Sequence, residues 1–346
     1  MNRYFCADAS RQARENMIGS ASQYQTYILI ECPLPWAPSA FDSSRISTEL
    51  KQFVAEANQL HPSTRFLLIH RGSRRTDSQK VLIYDRLNSG YQKFEWILTG
   101  CDEVLRVIQG YLAGDRQTIS DGSTPQPSTR DILICTHGSH DQCCAKYGNP
   151  FYMEATSLVA SLGLEQVRIW RSSHFGGHRF APTAIAFPDG RYYGGLDGTS
   201  LLALLLQTGD VQRLSQVYRG WGILAPPLQV MERALMLAKG WDWFNYKLVG
   251  CKLLEPATPN APIHAEVIVE TPEGLLQGHR ATLVQDPDQT VCLKGSCHAA
   301  NTSTFVKYRV ESLTNFLHVT ASDTASPLLH RQLETQKAMR DANIVK

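Results

Sequence analysis

Between residues 24 and 208 one order of apolar and polar stretches is written twice, and this repetition constrains the fold more than any bulk property. Apolar runs mark a strand at 27–30, a helical period follows over 44–60, and a second strand covers 65–71. A strand pair, 80–86 and 91–98, turns at Asn88-Ser89-Gly90, and a helix over 102–113 closes the unit. The polar, proline-bearing stretch 115–130 reads as a linker. The order then recurs: a strand at 131–135, a helix at 149–162, a strand at 167–171, a hairpin of 183–187 and 192–195 across Pro188-Asp189-Gly190, and a helix at 200–208. A strand-helix-strand start demands a right-handed crossover, while a terminal hairpin adds antiparallel strands. The expected fold class is therefore α/β (mixed α+β): two thioredoxin-like modules with mixed sheets.

Beyond Trp221 a helix over 227–239 leads to short strand-like runs at 247–254, 264–271, 276–284, 290–294 and 305–311. Turn sequences such as Thr271-Pro272-Glu273-Gly274 and Gln285-Asp286-Pro287-Asp288 separate them, which suggests a small antiparallel β domain. The expected boundaries are 1–118, 119–222 and 223–346, with a helical or frayed tail after 326. The Trp241-Asp242-Trp243-Phe244 cluster is read as packing between domains.

Of the 346 residues 43% are apolar and 19% charged, and the net charge of +2 is spread without long like-charge blocks. These values fit a globular protein and give no basis for a nucleic-acid groove or a basic membrane patch. The N-terminus lacks the pattern of a signal peptide, and no run approaches the ~18 apolar residues of a membrane span, so a cytoplasmic location is expected. Nine cysteines, three of them between 135 and 144, argue for reduced thiols or metal ligands over a disulfide framework.

The chemistry is concentrated in two loops. Cys135 closes the apolar run 131–135, so its thiol falls at the C-terminal end of a strand, where open α/β sheets place ligands. Cys144 follows nine residues later, ahead of a helix whose N-terminus would favour a thiolate. The strand 167–171 opens a second loop, Ser172-Ser173-His174-Phe175-Gly176-Gly177-His178, in which the two glycines permit a turn tight enough for both imidazoles to face one centre. Two thiolates and two imidazoles suit a tetrahedral zinc or a [2Fe-2S] cluster, and residue types alone do not separate the two. Pro182 stands where thioredoxin-like folds carry a cis-proline facing the redox loop.

Cys135-Thr136-His137-Gly138 with Asp141 and Cys144, the stretch Trp170 to Thr183 and the stretch Phe187 to Gly194 together resemble the sucrase/ferredoxin-like family. That family includes the actin-patch-distribution protein and is related to thioredoxin-like ferredoxins. The resemblance is specific over about 130–200, and Ile30-Glu31-Cys32-Pro33-Leu34-Pro35-Trp36 is similar to the family's N-terminal module. It implies a [2Fe-2S] cluster held by Cys135, Cys144, His174 and His178 in the second module, with the first module cluster-free. Eukaryotic members commonly carry a basic residue before the second cysteine, where this chain has Cys143, so Cys143 is an alternative to Cys144. No glycosidase-type carboxylate pair supports the sucrase label.

Neutral imidazoles in place of thiolates make a cluster easier to reduce, with potentials of roughly −150 to +300 mV in Rieske centres against about −400 mV for all-cysteine plant-type ferredoxins. Imidazole ligands also titrate, so the midpoint potential is expected to vary with pH. An electron carrier, with or without coupled proton transfer, is therefore the leading reading. A zinc-stabilised binding or scaffold module and a thiol-dependent reductase using Cys143 and Cys144 are the alternatives.

Among the neighbours, His137 is a loop-ordering residue or a further ligand, and His140 a surface residue. Asp141 is a helix cap or an acceptor for a ligand imidazole, and Arg179 offsets cluster charge or pairs with a carboxylate. Cys251, Cys292 and Cys297 are read as isolated core thiols, and Cys6, Cys32 and Cys101 as ordinary residues. No glycine-rich fingerprint or phosphate loop marks a nicotinamide or flavin site, so the donor and acceptor proteins stay open, as does the oligomeric state.

Overall fold

Thr26–Glu31 (β1) is buried almost throughout, which a strand achieves only with a neighbour on each edge and cover on both faces. In the computed structural model, which describes residues 4–319 except 73–77, 123–128, 255–257 and 259, β1 has both neighbours. Thr64–His70 (β2) runs parallel to it after the helix Thr48–Leu60 (α2), and Gln79–Leu87 (β3) runs antiparallel on its other side. Gly90–Leu98 (β4) completes the hairpin with β3. A short helix, Cys6–Gln12 (α1), precedes this unit, and Cys101–Leu112 (α3) and Arg116–Gly122 (α4) follow it. The stretch expected to be a linker is thus partly helical, because Gly122 lets α4 close against the Trp96 ring. Residues 123–128 of that stretch and the tail after 326 lie outside the described residues.

The second unit repeats the pairing. Arg130–Cys135 (β5) is parallel to Val167–Ser172 (β6) across Gln142–Ser161 (α5), and antiparallel to Thr183–Phe187 (β7), which pairs with Arg191–Gly194 (β8). Gly198–Leu206 (α6), Val211–Val217 (α7) and an added strand Tyr218–Trp221 (β9) follow. The two units do not form separate sheets. Equivalent strands β2 and β6 pair antiparallel at Ile69↔Ser172 and His70↔Arg171, giving one nine-stranded sheet of order β4-β3-β1-β2-β6-β5-β7-β8-β9. Joining two edge strands hides backbone donors and acceptors that each unit alone would expose.

A buried charge network ties the units together. Arg168 on β6 donates to both oxygens of Asp131 on β5 (2.6 and 2.8 Å) and to both of Glu95 on β4 (2.9 and 3.0 Å). Lys93 reaches Glu95 at 2.7 Å and Asp131 at 3.2 Å, while Trp170 and Tyr84 also donate to Asp131. Burial opposes charge on these carboxyls, but the guanidinium and ammonium partners outweigh it and hold both below the ordinary range.

Pro226–Lys239 (α8) carries the larger core from this sheet to a second one, with Met231, Leu235 and Met236 in the same apolar cluster as Val267, Val269 and Leu283. The cluster at 241–244 packs as read from the sequence: Trp243 is buried and donates to Glu232 on α8 at 2.7 Å, and Phe244 lies against Arg191. The second sheet is four-stranded and antiparallel, β10 (Lys247–Leu254), β11 (Ile263–Glu270), β12 (Leu276–Leu293) and β13 (Ser303–Val319) in that order. Two runs expected as separate strands, 276–284 and 290–294, are one strand: Asp286-Pro287-Asp288 forms an irregularity in the β12–β13 register, not a reversal. Cys251 and Cys292 fall on exposed positions of this sheet, so they are not core thiols, since only one face of it meets the core.

Candidate metal centre

The first site loop begins where β5 ends and stops where Asp141 caps α5. The Asp141 carboxylate accepts from the N–H of Cys143 at 2.9 Å, so the helix starts at Gln142, seven residues before the start expected from the sequence. Both cysteines therefore sit in the first helical turn, where successive side chains diverge by about 100°. Cys144 points toward Cys135 and His174, and Cys143 points away from them, to Cys6 and Cys297.

His174 is the hinge of the arrangement. Its Nδ1 stands 3.7 Å from the sulfur of Cys135 and 3.7 Å from that of Cys144, and these three ligand atoms lie within 4.8 Å of one another. On its other side the ring stacks on His178 (4.8 Å between centroids) and on His140 (4.1 Å), and these three imidazoles form a second group. Among the described residues no single group contains Cys135, Cys144, His174 and His178 together; His174 is shared between the two. His140, expected on the surface, is exposed yet lies within ligand distance of both loop histidines.

The second loop is fixed by contacts remote in sequence. Arg65 on β2 donates to the carbonyl of His174 at 2.7 Å, and buried Arg219 donates to that of Gly176 at 3.1 Å. Gly177 adopts φ +82°, and a Cβ there would meet the Arg219 guanidinium at 2.5 Å, so glycine is needed on both counts. Ala181-Pro182 is a cis peptide bond, as expected. His137 orders the loops: Nε2–H donates to the Ala37 carbonyl at 2.7 Å, and Nδ1 accepts from the His174 N–H at 3.2 Å. Ser139 donates to the Trp36 carbonyl at 2.7 Å, so the end of the segment Ile30–Trp36 in the first unit buttresses this loop of the second.

Asp141 does more than cap. Its Oδ2 accepts from the N–H of Cys297 at 3.0 Å and lies 3.8 Å from His178 Nδ1. Arg179 pairs with Glu15 at 3.1 Å and covers the Phe305 ring, so its charge is met by that carboxylate. The loop between β12 and β13 closes the site from the side. His178 Nε2–H donates to the Gly295 carbonyl at 2.7 Å, and Cys297 lies 3.3 Å from Cys143. Cys297 is thus not an isolated core thiol, nor is Cys6 without thiol neighbours, because the β12–β13 loop and α1 both fold onto the start of α5. The side chain of Cys101 lies outside the described residues. Sequence reasoning missed this loop, Arg65 and Arg219, and no local signal marks them.

The donor chemistry fits a metal group. Burial and the neighbouring histidines push His174 down to about 2, and burial also lowers His178, so both rings are neutral, the form that ligates. With its proton on Nε2, His178 presents the Nδ1 lone pair, which is buried and has no hydrogen-bond partner. Hydrogen bonding with Cys135, then burial, raises the Cys144 thiol well above its ordinary value: two adjacent buried thiolates require a cation between them. No helix among the described residues is long and apolar enough to cross a membrane.

These features define a mixed α/β protein with a cysteine–histidine cluster at the strand ends of its second unit. Residues 17–220, more than half of the 346-residue chain, match the family model described as sucrase/ferredoxin-like, and the chain belongs to that family. No curated protein and no solved structure gives a match.

Proposed function

We propose that the protein is a one-electron carrier whose second, thioredoxin-like unit holds a [2Fe-2S] cluster on Cys135, Cys144, His174 and His178. The observation that carries this reading is the elongated donor set. Two thiols lie at one end, the unpartnered Nδ1 of His178 at the other, and His174 between them. A single tetrahedral zinc would draw four donors into one group, whereas a two-iron centre spreads them in pairs. When bound, the cluster supplies one-electron chemistry, and neutral imidazoles make it easier to reduce than an all-thiolate centre.

The chain's own residues hold the donors and their protons. His137, Arg65 and Arg219 fix the two loops, and the Gly295 carbonyl keeps the His178 proton on Nε2. The Gly176 N–H donates to Nε2 of His174 at 3.1 Å, so the neutral ring carries its proton on Nδ1, and ligation through that nitrogen would release it. The first unit, whose sequence carries no counterpart of the His-x-x-x-His pair, acts as a scaffold, and electron transfer rather than sucrose cleavage is the task of the second.

Anaerobically purified protein is expected to be red-brown, with about two irons and two acid-labile sulfides per chain. A colourless protein carrying zinc on these four residues would overturn the reading.

A further inference from the structure

A second cluster of ligand-type side chains lies beside the first and is not used by it. Cys6 from α1, Cys143 from the first turn of α5 and Cys297 from the β12–β13 loop bring their sulfurs into a triangle with sides of 3.3, 3.6 and 3.6 Å. Asp141 joins them, with one ligand atom from each of the four within 4.8 Å of the others. Cys6 and Cys143 are buried and Cys297 partly so. Cys6 and Cys297 lie outside residues 17–220, so half of this donor set is not part of the family match.

We propose that Cys6, Cys143, Cys297 and Asp141 form a structural site for a thiophilic divalent cation, zinc in the first instance. Zinc bonds thiolate sulfur at about 2.3 Å, which sets sulfur–sulfur edges of about 3.8 Å in a tetrahedron, close to the triangle found. Three thiols in mutual contact also exceed what a disulfide uses, since any one bridge leaves a third sulfur against it. The fourth position falls to the Asp141 carboxylate, which two backbone N–H groups already orient. Asp141 is the extended N-cap of α5 and its carboxylate folds back toward the thiol of Cys143 in the first turn, and the other two ligands come from chain segments 291 residues apart.

The site would fasten three separate segments: the N-terminal helix, the start of α5 and the loop of the second sheet. That loop also supplies the Gly295 carbonyl to His178, so a cation here fixes the proton position of a neighbouring imidazole without touching it. Loading requires three thiols to release protons and no change of oxidation state.

The test is metal analysis of the full-length chain, alone and after exposure to Zn(II) or Co(II). About one zinc per chain is expected in the wild type, retained in the Cys135→Ser/Cys144→Ser double variant and lost in Cys6→Ser and in Cys297→Ser. The exposed Cys251→Ser serves as the control and keeps its zinc. Co(II) should give the near-ultraviolet thiolate charge-transfer band of a tetrahedral site, read on wild-type protein whatever the folding of the variants. The proposal is overturned by zinc that leaves with Cys135 and Cys144 but stays in Cys6→Ser and Cys297→Ser. It is equally overturned by a wild type that takes up neither ion, or by a Cys143–Cys297 disulfide in metal-free protein. Loss of iron in the double variant with zinc retained would separate this site from the proposed cluster.

Discussion

Gly148 lies against the carbonyl oxygen of Cys135: a Cβ at this position would come within 2.0 Å of that oxygen, which is backbone and cannot swing aside. The close approach sets the distance between the end of β5 and the first turns of α5, and hence between the two thiols they carry. Gly148→Ala is expected to destabilise the protein by about 1–3 kcal/mol and to lower iron content in parallel. Gly250→Ala, where nothing lies within 4 Å, is the comparison. Equal thermal stability and iron content in the two variants would remove the glycine from this role.

The divergence of Cys143 and Cys144 leads to opposite outcomes for neighbouring substitutions. Cys144→Ser is expected to abolish the visible spectrum, while Cys143→Ser keeps the iron and loses the zinc. A spectrum lost from Cys143→Ser and kept in Cys144→Ser would reverse the assignment.

Histidine ligation makes its own prediction. His174→Cys or His178→Cys that retains a cluster should lower the potential on the order of 100 mV or more, toward all-thiolate ferredoxins. In the wild type the potential should fall with rising pH by up to about 59 mV per unit where a ligand imidazole titrates. A potential flat between about pH 6 and 10 would exclude coupling to these rings.

The Asp131–Arg168–Glu95 network predicts acid lability. Both carboxyls are held low in the folded state, so the stability they confer is complete above about pH 5. It drains away as pH falls below the ordinary carboxylate value of about 4 toward the depressed folded-state values. Asp131→Ala should cost about 3–5 kcal/mol at neutral pH, because it leaves the Arg168 charge buried with half its partners. Urea unfolding at pH 7, 5 and 3.5 checks both points. A variant within 1 kcal/mol of wild type at neutral pH, or a wild type as stable at pH 3.5 as at pH 7, would refute them.

What the sequence discloses follows from the range of the interaction. The repeated strands, hairpins and the helix α8 were legible because period-two and period-3.6 apolar patterns are local, and so was the gathering of cysteines and histidines after β5 and β6, with Cys135 and Cys144 near His174 and His178 beside His174. The start of α5 lies seven residues ahead of the one expected because Asp141 opens the helix with a capping bond, and Gly148 is there for a backbone contact. The contact of Cys297 with Cys143 spans 154 residues and rests on where a long hairpin happens to reach. Nothing near either cysteine announces it. Likewise His137 is held by Ala37 through a carbonyl, which has no side-chain signature.

The seam between β2 and β6 gives the protein the character of a homodimer interface locked inside a single chain. Equivalent strands meet there antiparallel, as they would across a two-fold axis, yet only one partner carries the proposed cluster ligands. The other lends Ala37, Trp36 and Arg65 to a site it does not own. Tethering keeps that loan in force at any dilution, since the two halves never have to find each other. Residues 119–222 expressed alone would carry all four proposed cluster ligands and leave the loops that present them without their outer wall.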